Sequence, residues 1–432
     1  MGLVWLANRL LGDPNAAMIW ISVFASAAAV PAIYWLGKIM FSRAAGLVAA
    51  LLLATSISFW GLSEVAFPYT ILALLSTLSA ILVYRTWQGE KRYILPTAVL
   101  LGLAAGFRQD LLPFMLPVFF VGLLGAGRRR VMAAAVALAA AVAAWYVPTS
   151  ILTGGFSVYR EASSQETAGI LQDFSIFGKG WEALFHNAAA LRHFLLLAIA
   201  GALPFLVYFL LRLAVPGAAA LRRDRRLHFL ALWFTPAALF YLLIHIGEPG
   251  YVFLILPPAL LAASWGATLL ADDLKKIASR RFLVRFAILL PVTAIGANLL
   301  FFLATDVSYG SRDLACGDQV FQSRLDTLKD NFNPDDTLIV AVYEFERVLY
   351  YLPRYRVWHF DPATVDEART IIPDQVDNVV FFGDELELGG VSLMERLPVS
   401  DGRKLVFIDM HQVGAGKRIL AVDWTNRRVA FS

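Results

Sequence analysis

Apolar runs punctuated by short basic loops fill the chain as far as residue 304. Crossing a bilayer takes about 20 predominantly apolar residues per helix, fewer where a helix borders an aqueous cavity. Segments 16–36, 44–60, 65–84, 93–107, 111–124, 131–151, 194–211, 227–246, 251–270 and 282–303 fit that pattern, which predicts about ten transmembrane helices. The fourth and fifth are short and flank Arg108, Gln109 and Asp110. They suit a re-entrant hairpin, a form tolerated where protein or a water-filled cavity shelters the backbone. Beyond residue 304 charges become dense, and short β-type runs at 337–343, 356–360, 378–382, 404–409 and 418–422 alternate with helical stretches at 345–352 and 364–371. Strands alternating with helices indicate an α/β unit. The expected architecture is an all-α polytopic membrane domain over 1–304, followed by a small extracytoplasmic α/β domain over 305–432.

Composition removes the alternative of an ordinary soluble globule, with 59% hydrophobic and 16% charged residues and a mean hydropathy of +0.64. The net charge of +4 does not point to nucleic acid, because the basic residues sit in clusters between apolar runs. Lys and Arg near span ends are retained in the cytoplasm. One set of loops carries Lys38 and Arg43, then Arg85, Lys91 and Arg92, then Arg128 to Arg130, the arginines 212, 222, 223, 225 and 226, and a last cluster from Lys275 to Arg285. The alternating set carries only Arg9, Arg108, Arg160, Lys179 and Arg192. The first set is therefore expected on the cytoplasmic side of a cell (inner) membrane, with both termini and the α/β domain on the other side. The single cysteine, Cys316, excludes an internal disulfide and any cysteine-based metal cluster. No phosphate-binding loop, dinucleotide fingerprint or zinc-protease motif occurs.

Topology already explains the inner basic loops, so ionisable residues in the outer turns carry more information. The turn GLSEVAFPYT offers Glu64 and Tyr69; an acid at a span end is a functional candidate, though commonly a solvated boundary residue. In GFRQDLLPF, Arg108 breaks the charge pattern. Its planar fork suits a lipid phosphate, and the alternative is an Arg108–Asp110 ion pair that only holds the turn. The outer loop 153–187 contains GGFSVYREASSQE, with Tyr159, Arg160 and Glu161 after a Gly154–Gly155 turn, and its part 174–186 suits an interfacial amphipathic helix; otherwise it is a plain surface loop. The turn LLIHIGEPGYVF offers His245, Glu248 and Tyr251. His245 and Glu248 suit an acid/base pair or two positions on a divalent metal, but two ligands are too few for a metal site, so no cofactor follows and a divalent metal stays open. A hydrogen-bonded interhelical histidine is the plainer reading of His245.

Three stretches in order, GDPNAAMIWISVFASAAAVPAIYWLGKIMFSRAAGLVAALLLATS, FWGLSEVAFPYTILALLSTLSAILVYR and GLAAGFRQDLLPFMLPV, together resemble the GT-C superfamily of membrane glycosyltransferases, which includes protein O-mannosyltransferases and lipid-linked-sugar transferases. The resemblance covers residues 11–109, and the later spans only as architecture. It implies transfer of a sugar from a polyprenyl-phosphate-linked donor to an acceptor on the outer face. By that analogy Glu64, or a residue near Tyr69, occupies the turn where many relatives carry an acid, and Arg108 lies where a lipid-phosphate contact is useful; with the residues read above, the candidates are Glu64 and Asp110 for catalysis and Arg108, Tyr69, Tyr159, Arg160, His245 and Glu248 for substrate contact. Partners would be the lipid-linked donor and membrane lipid. Relatives begin with a helix and an outer loop bearing a catalytic acid. Nothing here corresponds, so the expectation is either such a segment upstream of Met1 or a form with little transferase activity. The rival readings are a transporter or flippase for a lipid-linked or anionic substrate, or a non-catalytic relative. A transporter should show inverted repeats and polar breaks near the midplane, whereas here the polar residues gather at one face.

Overall fold

Helix starts coincide with sequence capping signals. In the computed structural model, which describes residues 2–67, 69–276, 280–341, 344–359, 375–376, 378–382, 406–409, 419–423 and 428–431, a short helix α1 (Gly2–Leu11) leads to Asp13. The Asp13 carboxylate accepts from the backbone N–H of Asn15 and Ala16 at 2.8 and 3.1 Å and caps α2 (Pro14–Met40), with Pro14 in the first helical position where its missing N–H loses nothing. Ser42 caps α3 (Arg43–Ala54) in the same way. There follow α4 (Ile57–Gly61), α5 (Tyr69–Trp87), α6 (Ile94–Ala104), α7 (Leu111–Leu123) and α8 (Arg128–Leu152). Next come α9 (Phe156–Asp173), α10 (Ile176–Lys179), α11 (Trp181–Ile199) and α12 (Leu203–Ala214). Then α13 (Ala219–Arg222), α14 (Arg225–Leu243), α15 (Leu256–Leu274) and α16 (Arg280–Ala304) complete the apolar part.

All ten predicted spans fall on helix. Among the described residues five helical runs are long and apolar enough to cross a bilayer: α2, α5, α8, the run Trp181–Ala214 and α14. The pair α6 and α7 has 11 and 13 residues, about 16 and 20 Å at 1.5 Å per residue, well short of a bilayer core of about 30 Å. Two boundaries differ from the sequence reading. The span read as 194–211 starts at Trp181, and the stretch 153–187, read as an amphipathic helix over 174–186 or else a plain surface loop, is helical through most of its length.

Lipid supplies no hydrophobic drive between helices, so packing relies on small residues and close backbone approach. The α2–α3 contact shows this: a Cβ added at Gly37 would lie 2.7 Å from the Gly46 Cα. The core of this part holds Trp233, Tyr241, Phe205, Phe229 and Phe253, all fully buried.

Contact density divides the chain into two units, Met1–Arg312 and Asp313–Ser432. The second contains α17 (Ser311–Asn331, whose first residues belong to the first unit), β1 (Thr337–Ala341), α18 (Phe345–Tyr351), β2 (Arg356–His359), β3 (Asn378–Phe382), β4 (Val406–Asp409), β5 (Ile419–Asp423) and β6 (Arg428–Phe431). A four-stranded sheet runs in the order β2-β1-β3-β4 with every pair parallel, and β5 and β6 form an antiparallel pair. Central β1 is buried along its whole length, as expected of a parallel strand covered on both faces. All five strand predictions fall on strands, β6 went unread, and the helix expected at 364–371 lies outside the described residues.

Candidate functional site

Three outer-turn segments flagged by sequence meet in the first unit. Tyr69 opens α5 and is 8% exposed. Its place is fixed by α2: the Ser22 hydroxyl donates to the Phe67 carbonyl at 2.7 Å, and the Thr70 hydroxyl donates to the Ser22 carbonyl at 3.0 Å. Arg108 sits in the α6–α7 turn, and its guanidinium lies 4.0 Å from the Tyr251 ring centroid and 5.8 Å from that of Tyr69, within reach of cation–π attraction. Tyr241 of α14, a residue unmarked by sequence, closes the cage beneath, its ring 5.9 Å from Tyr251. A Cβ at Gly250 would overlap the Tyr69 ring. Glycine is therefore what lets the Tyr251 turn close on α5.

The Arg108–Asp110 pair exists and is bidentate: Nε donates to Oδ1 at 3.1 Å and Nη2 to Oδ2 at 2.7 Å. Both side chains are about one-fifth exposed. Burial opposes the Arg108 charge, but Asp110 outweighs it and the guanidinium titrates above its ordinary range. The pair uses Nε and Nη2, and among the described residues Nη1 has no hydrogen-bond partner, so one edge of the fork is open to an anion.

Glu248 and His245 border the cage. Partial burial pushes the Glu248 carboxyl above the usual carboxylate range, and no hydrogen bond or ion pair among the described residues occupies it. His245 follows the end of α14. Its ring packs 4.9 Å from Phe174 and 6.0 Å from Tyr251, and its Nδ1 is buried without a partner. Among the described residues no group of three or more His, Cys, Asp or Glu is placed to hold a metal.

Gln109 points the other way and donates to the Tyr159 hydroxyl at 2.5 Å. Tyr159 and Arg160 belong to a cleft of about 430 Å³ along α9. Glu64 is not drawn into the cage: it is exposed and accepts from the Trp60 indole N–H at 3.3 Å, while Trp60 stacks on Phe302 at 4.5 Å. Sequence reasoning missed Tyr241, Gly250 and the reach of Gln109. Only Gln109 had a signal, as the polar residue between Arg108 and Asp110.

Overlaid on solved structures, the chain matches ArnT from Cupriavidus metallidurans bound to undecaprenyl phosphate with a TM-score of 0.55 and 12% identity, over 99% of this chain and 86% of that one. It also matches the oligosaccharyltransferase of Archaeoglobus fulgidus in complex with Zn and sulfate, with a TM-score of 0.51 and 15% identity, over 84% of this chain. The chain shares the fold of these structures. Residues 3–152 match the family described as dolichyl-phosphate-mannose-protein mannosyltransferase, about a third of the chain. The chain spans about half, 53%, of the archaeal enzyme's length. A comparison with curated proteins finds no match. Tyr69 and Arg108 of the cage fall inside the matched residues 3–152, while Tyr241, His245, Glu248 and Tyr251 come from beyond them.

Proposed function

We propose that the chain transfers a sugar from a polyprenyl-phosphate-linked donor to an acceptor hydroxyl at the non-cytoplasmic face of a cell (inner) membrane. The observation that carries this reading is Arg108, a permanently charged fork with an open edge, held between tyrosine rings in a GT-C fold whose solved example from Cupriavidus metallidurans holds undecaprenyl phosphate. In the transfer, a base takes the acceptor proton, the acceptor oxygen bonds to the anomeric carbon, and the bond from that carbon to the phosphate oxygen breaks with its electron pair leaving on the phosphate. Arg108 stabilises that growing charge. Among the acids, Asp110 spends both oxygens on Arg108 and Glu64 faces Trp60, so Glu248 is the base. Its raised pKa makes it a stronger base than an ordinary carboxylate.

The test is release of polyprenyl phosphate from a polyprenyl-phosphate-linked hexose by the purified full chain in lipid nanodiscs. Arg108→Ala should abolish release and Arg108→Lys should restore part of it, because an ammonium keeps charge and loses the planar fork. Undiminished release by Arg108→Ala sinks the proposal. The orientation, with the tail domain outside, rests on the loop charges and is tested by cysteine accessibility: Gly127 and Arg223 inside, Gly155 and Gly250 outside.

A further inference from the structure

The length of α8 sets the level at which α9 begins. From Arg130 to Leu152 the helix rises about 33 Å, close to a hydrocarbon core of about 30 Å. With Arg128 to Arg130 in water at one surface, Leu152 therefore reaches the other. Ile151 and Leu152 are exposed there, as are Phe156 and Val158 just beyond. Gly154 and Gly155, both at positive φ, turn the chain between them, so α9 starts at that surface. Its first turns are tied down: the Tyr159 ring meets the Tyr146 ring of α8 edge-on at 5.3 Å, and the Tyr159 hydroxyl accepts from Gln109. Tyr146 lies six residues before Leu152, about 9 Å further into the bilayer. The cleft of about 430 Å³ that Tyr146 shares with α9 thus runs from headgroup level down to acyl level.

Helix α9 also sorts its charges. At about 100° per residue, Arg160, Ser164 and Thr167 fall within about 60° of one another on the cleft side. Glu166 and Asp173 fall on the far side, and none of the three acids of α9 borders the cleft. Arg160 makes no hydrogen bond or ion pair among the described residues, so its guanidinium is free for a ligand. Guanidinium, hydroxyls and the Gln109 amide all donate hydrogen bonds, which suits a ligand whose oxygens only accept. At this depth such anions are lipid phosphates. A soluble anion would use the donors alone, whereas a phospholipid also covers the Tyr146 ring and the exposed end of α8. The side chains of Arg108 and Gln109 turn in opposite directions, so the cleft is separate from the tyrosine cage.

We propose that the α9 cleft binds an anionic phospholipid of the surrounding bilayer, with the phosphate on Arg160 and the α9 hydroxyls and an acyl chain along the end of α8. This lipid is neither sugar donor nor acceptor, and the site does not depend on the transferase reading. A choline headgroup would bring its own cation beside Arg160, so the cleft should prefer a headgroup of net negative charge. The test places the full chain in nanodiscs of phosphatidylcholine that carry a trace of phosphatidylglycerol with a photoactivatable group near its headgroup, and maps the labelled peptides by mass spectrometry. The α9 peptide should be labelled. Arg160→Ala should lower that labelling about tenfold, the effect of losing a charge-assisted contact. Ser164→Trp, at an exposed position, should lower it as far by filling the cleft, and Arg160→Lys should keep part of it. Labelling beside Arg128 to Arg130, at the other end of α8, is the internal control for folding and insertion and should not change.

Competition identifies the ligand. Unlabelled phosphatidylglycerol added to the host bilayer should displace the probe from α9, while inorganic phosphate in the buffer should not. Displacement by inorganic phosphate makes the cleft a site for soluble anions and overturns the proposal. A photoactivatable phosphatidylcholine that labels α9 equally well reduces it to ordinary lipid boundary and overturns it too. So does a wild-type α9 peptide without label, or label undiminished in both Arg160→Ala and Ser164→Trp. Arg108→Ala should leave the labelling of α9 intact, and its loss there would merge the cleft with the cage and overturn the separate site.

Discussion

Arg108 and Glu64 both stand out in the sequence as charges in short turns read as outer, where topology requires neither. Their surroundings differ. Arg108 is clasped by Asp110, roofed by Tyr251 and bordered by Tyr69, with Tyr241 below and Glu248 and His245 at the rim. Glu64 touches an indole and faces solvent. Charge at a span end thus marks a candidate, and convergence of other segments upon it decides between a site and a boundary residue. That convergence comes from contacts far apart in sequence, such as Ser22 holding the start of α5.

The sharpest way to break the comparison is to remove each charge. Arg108→Ala takes away the open fork edge and leaves Asp110 partly buried without its partner. Loss of a donor at a developing negative charge lowers turnover by about 10²–10³-fold, and the orphaned carboxylate costs about 1–3 kcal/mol of stability. Both are measurable, by polyprenyl phosphate release and by thermal unfolding in nanodiscs.

Glu248→Gln comes next and separates catalysis from stability. Removing a general base lowers the rate by about 10²-fold or more, and the acid limb of the wild-type pH–rate profile, shifted upward with the Glu248 pKa, should vanish with it. Stability goes the other way. A carboxyl whose folded pKa is raised contributes stability that is fully present below its unfolded pKa and lost as pH rises through the folded one. At neutral pH the ionised Glu248 is therefore a burden on the fold, and the glutamine variant should be at least as stable as wild type. A fall in both activity and stability would make Glu248 structural.

Smaller again is the effect of Gly250→Ala. The new Cβ overlaps the Tyr69 ring, and overpacking of this kind costs about 1–3 kcal/mol. Because the displaced ring borders Arg108, turnover should fall as well. Gly217→Ala, where an added Cβ meets nothing within 4 Å, is the control and should stay within about 0.5 kcal/mol.

How much of this was legible follows from what each residue's neighbours are. Helix positions and the β-runs of the second unit are set by local periodicity, and they were readable. Arg108 was readable because it violated a charge rule. Tyr241 was not, since a tyrosine inside the apolar run of α14 looks like any other core residue until the turn from α6 to α7 is seen above it. Gly250 shows its role only when Tyr69, far away in sequence, is packed against it. Helix α9 escaped because its large apolar residues sit at its two ends, Phe156 and Val158 at one and Ile170 and Leu171 at the other, with polar residues between them.

The last and smallest expected effect is that of Glu64→Gln, and it is the most direct test of the contrast. Glu64 is exposed, its one hydrogen bond from Trp60 is 3.3 Å long, and glutamine retains an acceptor oxygen at the same place. Trp60 is held independently by its stack on Phe302. Stability should therefore shift by no more than about 0.5 kcal/mol, as for surface substitutions that touch no special feature, and turnover should stay within twofold, in the same nanodisc assay that registers Arg108→Ala. Should Glu64→Gln instead abolish turnover at an unchanged unfolding temperature, the acid in the second outer turn is the base, Glu248 loses that role, and acceptor activation takes place outside the tyrosine cage, with Arg108 serving the phosphate alone.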